Sequence, residues 1–546
     1  MDPELFEHHL SSAHGRGREP VGGAVGVAGT RLCGDVVRIT LALDASGARV
    51  GQVGWDADAC GATIASLSAV AELVSGMAVL DVARIGAHDV ADALGGLSAG
   101  KFHAAELVAD ALARALGLAV RERGAVPAPG PTVARDGDRA AAGASDGAAP
   151  PAGGRDDDAA QDGAAGARTR TLVAMSGGVD SAVVALLAGR DGGDAVAVTL
   201  ELWADEANDG ERSCCSAQAV RFARALAHRM GMPHLTLDLR DEFRAGVVTP
   251  FLEDHRAGLT PNPCVRCNGD VRLDAMLDFA DRLGAETLAT GHYARVEWEG
   301  GDPLLRVARD AWKDQTYMLA ALAPASLARL CFPLGELTKP EVRALAAEAE
   351  LPVASKPESQ DLCFMAGTSR SAFLARHAGI EEQTGEIVDS GGRVLGRHRG
   401  HHAFTVGQRR GLGVAAEEPL YVLRTEPARN RVVAGPREEL QTTSVALRGA
   451  RLHRDGARVD RVKLRYRAKP LAARLVGEPA AGSHRRLEVA LQQPVDGAAP
   501  GQLACLMDGD VVIGWATIDR PRAERDTAVA AAERSATAAA GEPAAV

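Results

Sequence analysis

Ser176-Gly177-Gly178-Val179-Asp180-Ser181 constrains the fold more than any other stretch, because it joins an apolar strand to a helix through glycines, hydroxyls and one carboxylate. Thr171-Leu172-Val173-Ala174-Met175 reads as a buried strand, and Ala182-Val183-Val184-Ala185-Leu186-Leu187-Ala188 as the helix after it. The two glycines let backbone N–H groups approach an anion, and the helix N-terminus adds unpaired donors and partial positive charge. Such a loop is a phosphate cradle. No lysine follows the glycines, so it is not built to hold a γ-phosphate for transfer. An ordinary glycine-containing strand-to-helix turn is the alternative reading of these residues.

With 546 residues, 46% of them hydrophobic, the chain can hold several cores, and length alone predicts about three or four domains. No run of about 18 uncharged apolar residues is present to span a bilayer. The first residues, MDPELFEHHL, are acidic where a signal peptide is basic and apolar. A cytoplasmic location without membrane contact is therefore expected. Nine cysteines are too few and too clustered for a disulfide framework, which leaves thiol chemistry or metal binding.

The net charge of −11 argues superficially against a nucleic-acid partner. It is unevenly distributed, however. Residues 1–120 carry roughly 8 basic against 14 acidic side chains, and 441–522 roughly 14 basic against 8 acidic. Arg393, Arg397, Arg399, Arg409 and Arg410 lie in a stretch with no acid between 391 and 411. A solvated face is one explanation of these runs; beside a phosphate-cradling loop, a nucleic-acid footprint is the better one.

Composition divides the chain further. Residues 121–169 are almost all Ala, Gly, Pro, Asp and Arg without apolar periodicity, and read as a disordered linker. Residues 523–546 read as a disordered tail. From 170 to 375, apolar strands (195–200, 235–239, 287–290) alternate with helix-like stretches (217–230, 273–283), which predicts an α/β domain with a doubly wound parallel sheet. From about 439 to 522, short alternating runs such as Val462–Tyr466 and Val511–Trp515 predict a small C-terminal β-barrel, with a small central domain at 376–438 between them.

Two cysteine motifs stand out. Asn262-Pro263-Cys264-Val265-Arg266-Cys267-Asn268 precedes a helix in a turn-rich segment, where helix-terminal N–H groups lower a thiol pKa. Cys363 follows about 100 residues on, in Ser359-Gln360-Asp361-Leu362-Cys363-Phe364. The series SGGVDS, NPCVRCN, ATGHYAR (289–295), KDQTYML (313–319), SQDLCF and GQRRGLG (407–413) resembles the tRNA-specific 2-thiouridylase family, MnmA, over roughly 170–520. That family belongs to the PP-loop ATP pyrophosphatases, adenine nucleotide alpha hydrolase-like in fold, which cleave ATP between the α and β phosphates and pass AMP to a substrate oxygen.

The resemblance implies a site residue by residue. Ala174, Met175, Ser176, Gly177, Gly178, Val179, Asp180 and Ser181 would hold ATP, with Leu200 and Gly291 completing the adenine and ribose pocket at the carboxyl edge of the sheet. Two roles compete for Asp180: orienting Mg²⁺ on the diphosphate, or capping the turn that follows. Cys363 would carry a persulfide and Cys267 would be the nucleophile that attacks it, leaving a Cys267–Cys363 disulfide. Asn262, Pro263 and Cys264 would abut the target uridine, while His292, Lys313, Asp314, Gln315, Arg465, Tyr466 and Gln502 would contact tRNA. Lys313 and Arg465 suit phosphates and Tyr466 suits base stacking. Many family members carry Asp where this chain has Cys264. That difference opens a second reading, in which Cys264, Cys267 and Cys363 hold three irons of a [4Fe–4S] cluster. Cys214 and Cys215 read as structural, and Cys331 and Cys505 as core residues.

Residues 1–120 contain Leu32-Cys33-Gly34-Asp35, Ala59-Cys60-Gly61 and Lys101-Phe102-His103-Ala104 in an order that resembles the NifU/IscU-type iron–sulfur scaffolds, α+β in fold. The resemblance implies Cys33, Asp35, Cys60 and His103 as ligands of zinc or an iron–sulfur cluster. The third cysteine of the family is Ala104 here. Three roles compete: a zinc-bound dock for a cysteine desulfurase, a weakened sulfur relay, and a vestigial fold. A linker of nearly 50 residues would let this domain visit the catalytic cysteines at high local concentration.

Overall fold

The computed structural model describes residues 2–29, 34–127, 169–205, 216–357 and 362–521. The expected linker falls mostly on 128–168 and the expected tail on 522–546, both outside the described residues, as are Cys33, Cys214 and Cys215.

The N-terminal region is a three-stranded antiparallel sheet, Ala24–Gly29, Val36–Leu43 and Val50–Asp58, crossed by the long helix Phe102–Arg123. The close crossing explains Gly26: a Cβ there would lie 2.0 Å from the Ala111 carbonyl oxygen on the helix. Small residues at Ala104, Ala105, Ala111 and Ala115, each fully buried, keep that face flat enough to seat.

The middle of the chain is built on a five-stranded parallel sheet in the spatial order Leu330–Cys331, Ala285–Ala289, Arg170–Ala174, Ala195–Glu201, His234–Asp238. Strands buried on both faces read as near-continuous apolar runs, as Ala195–Glu201 does. The order reverses beside Arg170–Ala174, so the first strand-to-helix turn opens at the switch point where ligands enter such sheets. Cys505 is in the core as expected, but Cys331 is exposed, because its two-residue strand forms an edge of the sheet.

The C-terminal region closes into a barrel. Strands Gln441–Leu452, Gly482–Asp496, Leu471–Leu475, Arg461–Lys463, Leu503–Asp508 and Val511–Ile518 neighbour one another in that order, and the last pairs back onto the first, with Leu447 opposite Ile518. The hairpin Arg295–Glu299 and Asp302–Arg306, from the catalytic region, extends this sheet beyond Val511–Ile518. Composition gave no hint of that addition. Between the two regions, a four-stranded sheet of Gly385–Val388, Val394–His398, Tyr421–Glu426 and Arg431–Gly435 surrounds its own small core of Ile387, Leu412, Val422, Val432 and Ala434.

A domain tethered only by a linker was expected at the N-terminus; the structure shows it docked. Helix Phe102–Arg123 packs on the outer strand His234–Asp238 so closely that a Cβ on Gly117 would lie 1.8 Å from the Thr236 carbonyl oxygen. The His234 N–H donates to the Ala83 carbonyl at 2.8 Å. Arg224 and Arg221, on helix Ala217–Arg229, both donate to the buried Asp110 carboxylate, and Arg114 grips the Glu201 carboxylate through Nε (3.0 and 3.1 Å) and Nη2 (2.6 Å). Apolar residues of both domains, among them Leu112, Leu116, Val198 and Leu235, belong to one continuous core. The docked helix also covers the exposed edge that a parallel sheet would otherwise leave at His234–Asp238.

Candidate active site

The glycine loop sits between strand Arg170–Ala174 and helix Val179–Gly189. Gly177 has φ +68°, a left-handed conformation that side chains rarely adopt, and Gly178 is the N-cap. Ser181 ties the loop together: its Oγ accepts from the Ser176 N–H at 3.1 Å and donates to the Gly178 carbonyl at 3.1 Å. Gly291 approaches the same helix start, where a Cβ would lie 3.0 Å from the Ser181 nitrogen. A cleft of about 210 Å³ opens here, lined by Ala174, Met175, Ser176, Asp180, Ser181, Leu200 and Gly291, together with Val198, Thr199, Leu202, Arg272, Leu273, Met276, Thr290, His292 and Gln315.

Asp180 does not cap the turn. Its Oδ1 accepts from Lys339 Nζ at 2.6 Å and from the Tyr293 hydroxyl at 2.8 Å. Lys339 is 8% exposed and arrives from helix Lys339–Glu348, more than 150 residues away. Lys356 likewise reaches the loop, donating from Nζ to the Gly177 carbonyl at 2.9 Å while lying over the Phe222 ring. Two cations thus stand at a loop whose own sequence carries none. The capping box Thr338-Lys339-Pro340-Glu341, in which Glu341 Oε2 accepts from the Thr338 N–H at 2.6 Å, marks the start of that helix in the sequence. Nothing local to the motif shows where the Lys339 side chain goes.

His292 stands on the cleft wall between two partners. Arg272 Nη2 donates to its Nε2 at 3.0 Å, since a guanidinium has only donors, so Nδ1 carries the proton and donates to Thr290 Oγ1 at 2.8 Å. Desolvation first, and the Arg272 charge second, push His292 down to about 3, which keeps it neutral at any physiological pH.

The structure gives the other predicted residues distinct surroundings. Asn262 is the N-cap of the short helix Pro263–Arg266, its Oδ1 accepting from the Cys264 N–H at 3.1 Å. Cys267 begins a wider π-helical turn, Cys267–Arg272, and is buried in the apolar core. Cys363 is half-buried against that same core, and Cys264 is half-buried. The three cysteines do not form a group with all ligand atoms within 4.8 Å, as a single-ion site among the described residues does. Gln315 Oε1 accepts from the Tyr293 N–H at 3.0 Å beside the cleft, and Lys313 lies two residues before it. Asp314 is buried and paired with Lys463 at 3.0 Å, which bolts the 313–319 segment to the barrel. Gln502 donates to the Thr260 carbonyl at 2.8 Å and so fixes the turn ahead of Asn262. Arg465 is exposed, and Tyr466 is half-buried with its ring 6.5 Å from that of Tyr317.

In the N-terminal domain, Asp35, Cys60 and His103 bring their ligand atoms within 4.8 Å of one another. Burial alone would raise the Asp35 pKa, but donors from the Thr63 hydroxyl (2.8 Å) and the Cys60 N–H (3.1 Å) outweigh it and hold the carboxyl below its usual range. A carboxylate, a thiol and an imidazole converging in this way fit zinc or iron. Ala104 is fully buried at the start of the long helix.

Fold and cleft together define a PP-loop nucleotide-binding enzyme joined to an iron–sulfur-scaffold-type domain. Family models agree along the chain: NifU-like N terminal domain at 6–122, tRNA methyl transferase HUP domain at 169–367, tRNA methyl transferase PRC-barrel domain at 371–436 and aminomethyltransferase beta-barrel domain at 445–518. The chain is 43% identical over 523 residues to the bifunctional protein NifU/MnmA of Rubrobacter xylanophilus, covering 95% of this chain and 98% of that one. It is 42% identical over 374 residues to the tRNA-specific 2-thiouridylase MnmA of Solibacter usitatus (64% of this chain, 98% of that one), and 45% identical over 366 residues to that of Methylorubrum extorquens (64% and 94%). The chain belongs to the bifunctional NifU/MnmA family.

Proposed function

We propose that the chain is an ATP-dependent tRNA uridine 2-sulfurtransferase that converts the wobble uridine to 2-thiouridine, with its N-terminal domain assisting sulfur or iron–sulfur supply. The observation that carries this reading is 43% identity to a bifunctional NifU/MnmA along 95% of the chain, joined to a glycine-loop cleft with two cysteine motifs on the same domain.

ATP would bind along Ala174–Ser181, with Leu200 and Gly291 at its base and sugar; Asp180 would hold a Mg²⁺ ion, which would offset phosphate charge there. The uridine O2 attacks the α-phosphorus, the α–β anhydride bond breaks and diphosphate leaves. Donors and cations aimed at developing charge are the main catalytic resource at such a site, and Lys339 and Lys356 are placed to serve. The Cys267 thiolate then attacks Cys363 Sγ of a Cys363 persulfide. The outer sulfur leaves as hydrosulfide and adds at C2, AMP departs with the former O2, and an external thiol reduces the Cys267–Cys363 disulfide. Neutral His292, Lys313, Gln315, Arg465, Tyr466 and the Asn262–Cys264 turn would contact tRNA.

Asp35, Cys60 and His103, with Cys33, would hold the metal of the N-terminal domain. Metal bound there would lower the pKa of a coordinated thiol and hold the ligand loops together. A cysteine desulfurase or another sulfur-relay protein is the partner such a domain would receive.

Mass spectrometry of tRNA from cells lacking the protein tests the reading: 2-thiouridine should disappear from wobble positions. Purified protein should release diphosphate from ATP when unmodified tRNA is added, and Cys267→Ser should keep that release while losing sulfur transfer. Persistence of wobble thiolation with no second enzyme present would overturn the reading.

A further inference from the structure

Trp312 is 92% exposed, whereas Trp55 of the N-terminal core is 2% exposed. An exposed indole is a large, rigid contact face when the backbone that carries it is held. This loop is anything but loose. Asp310 Oδ1 accepts from the N–H groups of Trp312 (3.0 Å) and Lys313 (3.2 Å), and its Oδ2 accepts from the Lys339 N–H at 2.9 Å. That same Lys339 reaches Asp180 in the glycine loop. Two residues beyond Trp312, Asp314 is bolted to Lys463 of the barrel, and Gln315 exchanges hydrogen bonds with the Tyr293 backbone while lining the cleft. The backbone that carries the indole is thus held in place three residues before Gln315 of the cleft wall.

We propose that Trp312 is a stacking platform for an unpaired base of the RNA substrate, on the loop that leads into the nucleotide cleft, with Lys313 as its phosphate partner. The proposal rests on the tRNA reading above. Its neighbours in sequence decide between occupants. A protein partner would need apolar surface beside the indole, but its sequence neighbours Asp310 and Lys313 are charged, as is Arg309, which pairs with Glu341. An exposed aromatic face next to a lysine suits unpaired nucleic acid, because every base offers a π-face and every nucleotide a phosphate. ATP is served elsewhere: Trp312 does not line the cleft.

The test uses full-length protein, unmodified wobble-uridine tRNA, and the variants Trp312→Ala, Trp312→Phe and Lys313→Ala. Loss of one stacked base predicts that Trp312→Ala weakens tRNA binding about tenfold or more, with Trp312→Phe within about threefold of the parent. The salt dependence separates the roles: it should be unchanged in both Trp312 variants, since no phosphate contact is lost, and shallower by about one unit in Lys313→Ala. The tRNA should quench the long-wavelength indole emission of the parent, and Trp312→Phe should lose that quenching. ATP affinity without tRNA reports on folding and should be constant throughout. If the parent binds tRNA and Trp312→Ala binds it equally well, the platform is refuted and the tRNA reading stands; if the parent binds no tRNA, the tRNA reading falls and the platform with it. A change of oligomeric state in Trp312→Ala with tRNA binding unaltered assigns the indole to a protein contact and also refutes the proposal.

Discussion

Removing the Asp110 carboxylate should loosen the docked N-terminal domain more than any other single change at that interface. Asp110 and Arg224 are each 6% exposed, and the guanidinium's other bond is a 3.3 Å contact to the Ala109 carbonyl. In Asp110→Ala the Arg224 charge stays buried without its partner, a loss of about 3–5 kcal/mol for pairs of this kind. Arg221, whose side chain is 37% exposed, can turn to water, and its share is small. Taking about 3 kcal/mol, local opening of helices Phe102–Arg123 and Ala217–Arg229 should become more frequent by on the order of a hundredfold. Hydrogen exchange on those two helices measures it directly. Replacing both charges, as in Asp110→Leu with Arg224→Met, should restore more than half of the protection, since a buried pair exchanged for apolar groups of similar volume is close to neutral. Unaltered exchange in Asp110→Ala, or a double variant worse than the single one, would refute the argument that this pair holds the domains together.

Lys339→Met should lower tRNA-stimulated diphosphate release by about a hundredfold or more, because it removes a cation from the glycine loop and leaves Asp180 without its ion pair; Lys339→Arg should recover part of the rate. The acid limb of stability should depend on His255, which burial first, and then Arg370, His402 and His401, push down to about 4 from 6.5. Its unfolded form takes up a proton near 6.5 and its folded form only near 4, so stability falls as pH drops through that window, by at most about 3 kcal/mol. His255→Leu should make urea-denaturation midpoints fall less steeply between those pH values, and an unchanged slope would refute the assignment.

How much of this was legible depended on whether the information was local. The glycine loop announces itself because strand, φ-positive glycine and helix start are consecutive, and the predicted helices at 217–230 and 273–283 match Ala217–Arg229 and Leu273–Arg282 to within a residue. The barrel was legible for the same reason, through short-period alternation, although the run Val462–Tyr466 is a strand only to Lys463. Contacts made at long range were not. Lys339 is an unremarkable first-turn lysine until the chain folds it back onto Asp180, and the hairpin Arg295–Glu299/Asp302–Arg306 lies in the catalytic region of the sequence yet extends the barrel sheet. Asp314 reads as a polar residue of a substrate-binding motif, but its burial against Lys463 shows a carboxylate spent on holding that motif in place.

The docked domain bears on the nucleotide cleft through a single strand. Leu200 lines the cleft, and the next residue, Glu201, has its side chain 6% exposed and held by three short hydrogen bonds from Arg114 of the N-terminal helix. Side chains alternate across a strand, so one residue faces the ligand side while its neighbour faces the docked helix. A shift of the helix that broke the Arg114–Glu201 contact would leave a buried carboxylate unpaired, and the strand end would have to move or take water to relieve it. The backbone that would move is the backbone that positions Leu200. A fusion whose only purpose was proximity would have needed a tether alone. The closeness of Gly117 to Thr236, the Asp110 cluster and the Arg114–Glu201 contact instead make the N-terminal domain a wall of the catalytic sheet.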